Sequence, residues 1–104
     1  MKIECACGHL IHDNSDRLAH KAHFVPDQSW NDLCDGLDAL IEKGGRRSDE
    51  AAMAARRMLT WLSRRMWQCG ECGRLFVEDG DRELHVFAAE EPARAKAILA
   101  AGND

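Results

Sequence analysis

Two cysteine pairs stand almost at the two ends of the chain: Cys5-Ala6-Cys7-Gly8 and Cys69-Gly70-Glu71-Cys72-Gly73. Sixty-one residues lie between Cys7 and Cys69, with one further cysteine, Cys34, among them. A structural zinc takes four soft or borderline ligands in a tetrahedron, and one tight turn can fill two corners with thiolates. A glycine after the second cysteine permits positive φ and lets backbone N–H groups approach the sulfurs. Both pairs end in Cys-Gly. Strand-like residues flank them: Lys2-Ile3-Glu4 and Leu10-Ile11 around the first, Leu75-Phe76-Val77 after the second. The spacing predicts two hairpin tips sharing one tetrahedral metal site, with one structural zinc per chain.

This arrangement resembles the zinc ribbon and rubredoxin-like knuckle proteins, in which two cysteine turns far apart in sequence face each other across one metal. The resemblance covers roughly residues 1–12 and 67–88. Carried over by position, it implies Cys5, Cys7, Cys69 and Cys72 as the ligands. The first turn departs from the family pattern, being C-x-C-G where the family has C-x-x-C-G. That departure weighs against iron and electron transfer more than against zinc. The middle of the chain has no counterpart in a minimal ribbon.

Other chemistry is open to the same residues. Two disulfides fit poorly with five cysteines and no secretory leader in the sequence. A dithiol redox pair at Cys69 and Cys72 would be expected to open a helix, whereas Arg74-Leu75-Phe76-Val77-Glu78 reads as a strand. His9 and His12 lie near the first pair, but four cysteines already complete the ligand set. His20 and His23 share a face only on a helix, and core-edge or solvated histidines are the commoner case. Cys34 falls within an apolar stripe and reads as a small core residue.

The elements that must position the cysteines follow from periodicity. Phe24-Val25 lean toward a strand that Pro26 ends. Residues 27–43 predict a helix, with Trp30, Leu33, Cys34, Leu37, Leu40 and Ile41 on one face and Asp32, Asp35, Asp38 and Glu42 on the other. Gly36 costs that helix roughly 1 kcal/mol relative to Ala and suggests a close approach by a neighbour. Gly44-Gly45-Arg46-Arg47 breaks it, and Ser48 caps a second helix expected to run to about residue 67. Its apolar face is Ala51, Ala52, Ala55, Met58, Leu59, Leu62 and Met66. Asp79-Gly80 predicts the turn of a hairpin that returns along Leu84-His85-Val86-Phe87. Glu90-Glu91-Pro92 opens a last short helix, 91–101. The expected fold class is α+β: a small antiparallel zinc-ribbon sheet with an inserted helical hairpin, 27–67, packed on one face, all in a single domain.

Composition bounds the function. The length, 104 residues, suits one modest core. No apolar run is long enough to span a membrane, and the start of the chain has no apolar leader, so a cytoplasmic bacterial protein is expected. The net charge of −4 disfavours a general nucleic-acid binder. Charge is uneven: net −4 over 1–43, +4 over 44–74 and −4 over 75–104. Trp61 falls off the apolar stripe, among Arg57, Arg64 and Arg65. It either packs on another element, such as 18–25, or forms an aromatic–arginine patch for a partner. No phosphate loop or nucleophile motif is present. The expected function is non-enzymatic: a zinc-stabilised protein–protein interaction module, in one form an immunity protein that neutralises a toxin. The first alternative is a transcription-associated ribbon whose Arg46, Arg47, Arg56, Arg57, Arg64 and Arg65 touch phosphate. The second is a rubredoxin-like or dithiol redox protein.

Overall fold

Short runs of alternating residues at the chain's start make the first sheet. β1 (Lys2–Glu4) and β2 (Leu10–His12) pair antiparallel, with Ile3 opposite Ile11. Only these two isoleucines turn inward; their strand neighbours are exposed, the period-two pattern of a half-buried hairpin. The structure, a computed structural model, describes residues 1–44 and 49–102. The expected break at 45–47 and the Ser48 cap lie outside the described residues.

A second sheet of four strands has the order β3-β4-β5-β6. Its strands are β3 (Lys21–Phe24), β4 (Arg64–Gln68), β5 (Leu75–Glu78) and β6 (Leu84–Phe87). β4 and β5 are antiparallel, with Trp67 opposite Phe76, and β5 and β6 are antiparallel, with Phe76 opposite Val86. The fold is α+β, as expected, but the two cysteine turns sit on two sheets rather than one.

Between β3 and β4 the chain forms α1 (Asp27–Gly44) and α2 (Asp49–Leu62), a helical hairpin. Acids occupy the first turn of each helix, where the dipole favours them: Asp27 in α1, Asp49 and Glu50 in α2. Gly36 does admit a neighbour. A Cβ built there would lie 2.5 Å from Met58 Sδ of α2.

Two predicted boundaries are corrected. α2 stops at Leu62, and residues 64–68 are the strand β4 rather than the end of a helix reaching 67. Met66 continues the helical stripe, but the competing long-range ladder wins. In β4, Met66, Trp67 and Gln68 pair with Val77, Phe76 and Leu75, and Trp67 becomes fully buried. Helix propensity differs by only a few tenths of a kcal/mol among such residues, so it yields to that burial. The C-terminal helix expected over 91–101 is also absent. Pro92–Arg94 make a single 3-10 turn, and turns follow it.

The chain divides into two compact units. One comprises Met1–His23 with Arg64–Asp104, the other Phe24–Ser63. The first holds the hydrophobic core: Ile3, Cys5, Ile11, Trp67, Cys69 and Phe76, with Cys72 packed against it. The second is centred on the α1–α2 contact, where Leu33 is buried.

Candidate metal centre

Each cysteine pair is held by the same two backbone hydrogen bonds. In the first turn Cys5 N donates to His9 O and Gly8 N to Cys5 O, at 3.0 and 2.9 Å. In the second, Cys69 N donates to Arg74 O and Gly73 N to Cys69 O, both at 2.9 Å. The closing partner is in both cases the second residue after the second cysteine. The glycine after that cysteine has positive φ in both, +95° at Gly8 and +81° at Gly73. The C-x-C-G turn is therefore the C-x-x-C-G turn shortened by one residue, with its hydrogen bonds and its left-handed glycine retained. Strands β1 and β2 carry the first turn, and β4 and β5 the second.

The two turns bring four sulfurs together. Cys5, Cys7, Cys69 and Cys72 offer Sγ atoms that all lie within 4.8 Å of one another. Two sulfur pairs cross between the turns, Cys5 to Cys72 at 3.5 Å and Cys7 to Cys69 at 3.6 Å. A zinc–sulfur bond of about 2.3 Å makes the edge of a tetrahedral S4 site about 3.8 Å. The cluster therefore has the dimensions of a four-thiolate metal site.

The electrostatics are those of crowded thiols. Cys72 is drawn down to about 6, first by the backbone N–H of Arg74 and then by the neighbouring thiols and the Arg74 side chain, against desolvation. Arg74 Nη1 lies 3.2 Å from Cys72 Sγ. At Cys7 a backbone hydrogen bond from His9 favours the thiolate, but desolvation and the crowding of Cys69, Cys5 and Cys72 push it up to about 12. Four thiols in this space do not all ionise unaided. A cation among them is the natural compensation.

Neither His9 nor His12 belongs to the cluster, and no second group of three or more metal-ligating side chains occurs among the described residues. His20 donates from Nε2 to the His12 carbonyl at 2.6 Å. His23 is exposed. Cys34 lies on α1, half-buried and outside the cluster.

Three residues outside the cysteine motifs were not singled out from sequence, yet they hold the second cysteine turn or strand β4 that leads into it. Gln68, buried immediately before Cys69, donates to Gly73 O and Ala95 O and accepts from Ile98 N at 3.0 Å. Its amide ties the second cysteine turn to the C-terminal segment and takes the backbone groups that a helix there would have used. Asp13 accepts from Trp67 Nε1 at 3.0 Å and pairs with Lys21 at 2.8 Å, while Lys21 and Arg65 both lie over the Trp67 ring. Glu78, 2% exposed, accepts from Arg65 N, Nε and Nη2 at 2.8–3.0 Å. The adjacency of Gln68 to Cys69 and of Arg74 to Cys72 was the available signal.

The predicted partner patch is divided by the correction at 64–68. Trp61 is 83% exposed on α2, with Arg57 exposed one turn earlier. Arg64 and Arg65 lie on β4, not on the helix, so the four residues do not share one helical face. Arg65 is committed to Glu78. Arg64 places Nη2 3.3 Å from where a Cβ at Gly80 would sit.

The fold and the site define an α+β protein with a four-cysteine cluster assembled from two turns and a helical hairpin inserted between them. The chain belongs to the family described as Domain of unknown function (DUF8617), whose model matches residues 1–91, both cysteine turns included. No curated protein and no solved structure matches the chain. No described helix is long and apolar enough to cross a membrane.

Proposed function

We propose that the chain is a structural zinc protein that acts without catalysis, by presenting its helical hairpin to a protein partner. Cys5 and Cys7 from one turn and Cys69 and Cys72 from the other would hold the ion. Four thiolates leave no open position for a water or substrate, the mark of a structural rather than a catalytic site. Zinc would supply four bonds that join the ends of the first unit across the 61 intervening residues, in a domain whose core is small. The N–H groups of His9 and Arg74 and the Arg74 guanidinium offset part of the thiolate charge.

The observation that carries the partner reading is Trp61. A tryptophan 83% exposed on a helix, beside an exposed Arg57, has the composition of a binding hot spot. Nucleic acid is the weaker reading, because Arg65 of the basic segment is held by Glu78 rather than free for phosphate. The narrower form, an immunity protein that neutralises a toxin, rests on small size and a net charge of −4.

The test is capture on metal-loaded protein. Trp61→Ser with Arg57→Glu should abolish retention of the partner from native lysate and leave one metal per chain. Retention unchanged by the double substitution would remove this surface from the proposal. Co-expression with the product of the neighbouring gene examines the immunity form. Binding to nucleic acid that falls steeply with salt would favour the alternative. Elemental analysis that found iron would move electron transfer to first place.

A further inference from the structure

The helical hairpin leaves an apolar face uncovered. No residue of α2 is buried, and on α1 Trp30 and Ile41 are 52% and 74% exposed. Leu59 of α2 is 44% exposed. A fourteen-residue helix draws little stability from propensity alone and depends on packing of its apolar stripe.

The contacts within the hairpin define where that face lies. Gly36 faces Met58, and Leu40 shares a groove with Ala54. The helices are therefore antiparallel, and two residues along α1 match two back along α2. At 100° per residue, Trp30, Leu37 and Ile41 lie roughly 90° round α1 from that contact, and Ala52 and Leu59 lie about as far round α2 in the same sense. In an antiparallel pair both stripes then open on one side. Trp61 points away from it, roughly 160° from Leu59.

Charge marks the outer flanks of this face. Beyond the α1 stripe comes Asp38, and beyond the α2 stripe comes Arg56; both are exposed. Neither has an ion-pair partner among the described residues. In an antiparallel pair with Gly36 level with Met58, Asp38 lies level with Arg56.

The geometry points to a second copy of this chain as the occupant, in a four-helix bundle about a two-fold axis parallel to the helices. That axis lays α1 on α2 of the other subunit and preserves the levels. Asp38 then meets Arg56 of the partner subunit, and by symmetry the pair occurs twice. A two-fold axis perpendicular to the helices would instead stack α1 on its own copy and α2 on its own copy, setting the Asp38 flank against an identical acidic flank and the Arg56 flank against an identical basic one. The charge pattern selects the first arrangement.

Sedimentation equilibrium on the full chain, purified with its metal, tests this. The expected species is a dimer. Asp38→Arg alone and Arg56→Asp alone should each weaken it at least about tenfold, because each homodimer then opposes like charges twice. An equimolar mixture of the two variants should restore association as a heterodimer. In that mixture the Asp38→Arg chain is basic at both positions and the Arg56→Asp chain acidic at both, so opposite charges meet across both flanks. That rescue separates a lost interface from a lost fold. A monomeric wild-type chain, a dimer indifferent to either charge reversal, or a mixture that stays dissociated would each overturn the proposal.

Discussion

At the scale of single residues, the cysteine turns depend on two glycines in unlike surroundings. Both have positive φ, where a side chain costs about 1–2 kcal/mol. A Cβ at Gly8 would meet nothing within 4 Å, whereas one at Gly73 would lie 3.4 Å from Ala95 O. Since 3.4 Å is an ordinary van der Waals contact, Gly8→Ala and Gly73→Ala should each cost about the backbone preference alone, as read by chemical denaturation of the metal-loaded protein. Glu78 offers a second test. Its carboxyl is held below the usual carboxylate value, first by the Arg65 side-chain hydrogen bonds and against desolvation. A depressed carboxylate contributes stability that is full above its unfolded value and is lost as pH falls through the native one. Glu78→Gln should cost about 1–2 kcal/mol at neutral pH, because the amide keeps one acceptor for Arg65 but loses the charge and the second oxygen, and Arg65 is 38% exposed. The wild-type advantage should then shrink as pH falls below about 4.5. A variant with the same acid limb as wild type would show that the pair does not contribute.

At the scale of elements, Gln68 is the joint between β4, the second cysteine turn and the C-terminal segment. Gln68→Leu removes the partners of Ala95 O and Ile98 N while keeping the buried position filled, now by an apolar side chain. The segment that follows Pro92 should detach, since its backbone groups then regain water rather than stay buried and unpaired, at a cost of about 1–3 kcal/mol. Hydrogen exchange is the readout: protection at the Ile98 amide should be lost, and that at Cys69 and Phe76 retained. Loss of protection at all three would mean that Gln68 supports the metal turn itself. The same side chain explains why a pattern opened by Pro92 and closed by Gly102 does not form the expected helix.

At the scale of the whole molecule, the zinc reading predicts one metal per chain and a first unit that does not survive its removal. That unit's core, Ile3, Ile11, Trp67 and Phe76, is small and is built around the sulfurs themselves. Chelation should expose Trp67, shift its fluorescence toward that of water-exposed indole and abolish the near-ultraviolet circular dichroism of the site. Returning zinc should restore both. A chain that kept Trp67 buried after complete metal loss would show that the sulfur cluster is not a structural clip.

The cysteine cluster was legible from sequence because its chemistry is local. Each turn carries its own Cys-Gly signature, and the α1 boundaries and the β5–β6 hairpin follow equally from short-range period and turn residues. The close approach at Gly36 was legible for the same reason. What sequence alone could not decide depended on partners distant in the chain. Residues 64–68 carry a helical stripe and become a strand only because Phe76 and Val77 offer a ladder and a burial site for Trp67. Arg65, read as a helix-face residue for a partner, is claimed by Glu78, thirteen residues away. Gln68 reaches Ile98 across thirty. Local propensities differ by tenths of a kcal/mol, while burial of an indole or satisfaction of a buried amide is worth one to a few, about an order more. Where the two compete, tertiary structure decides.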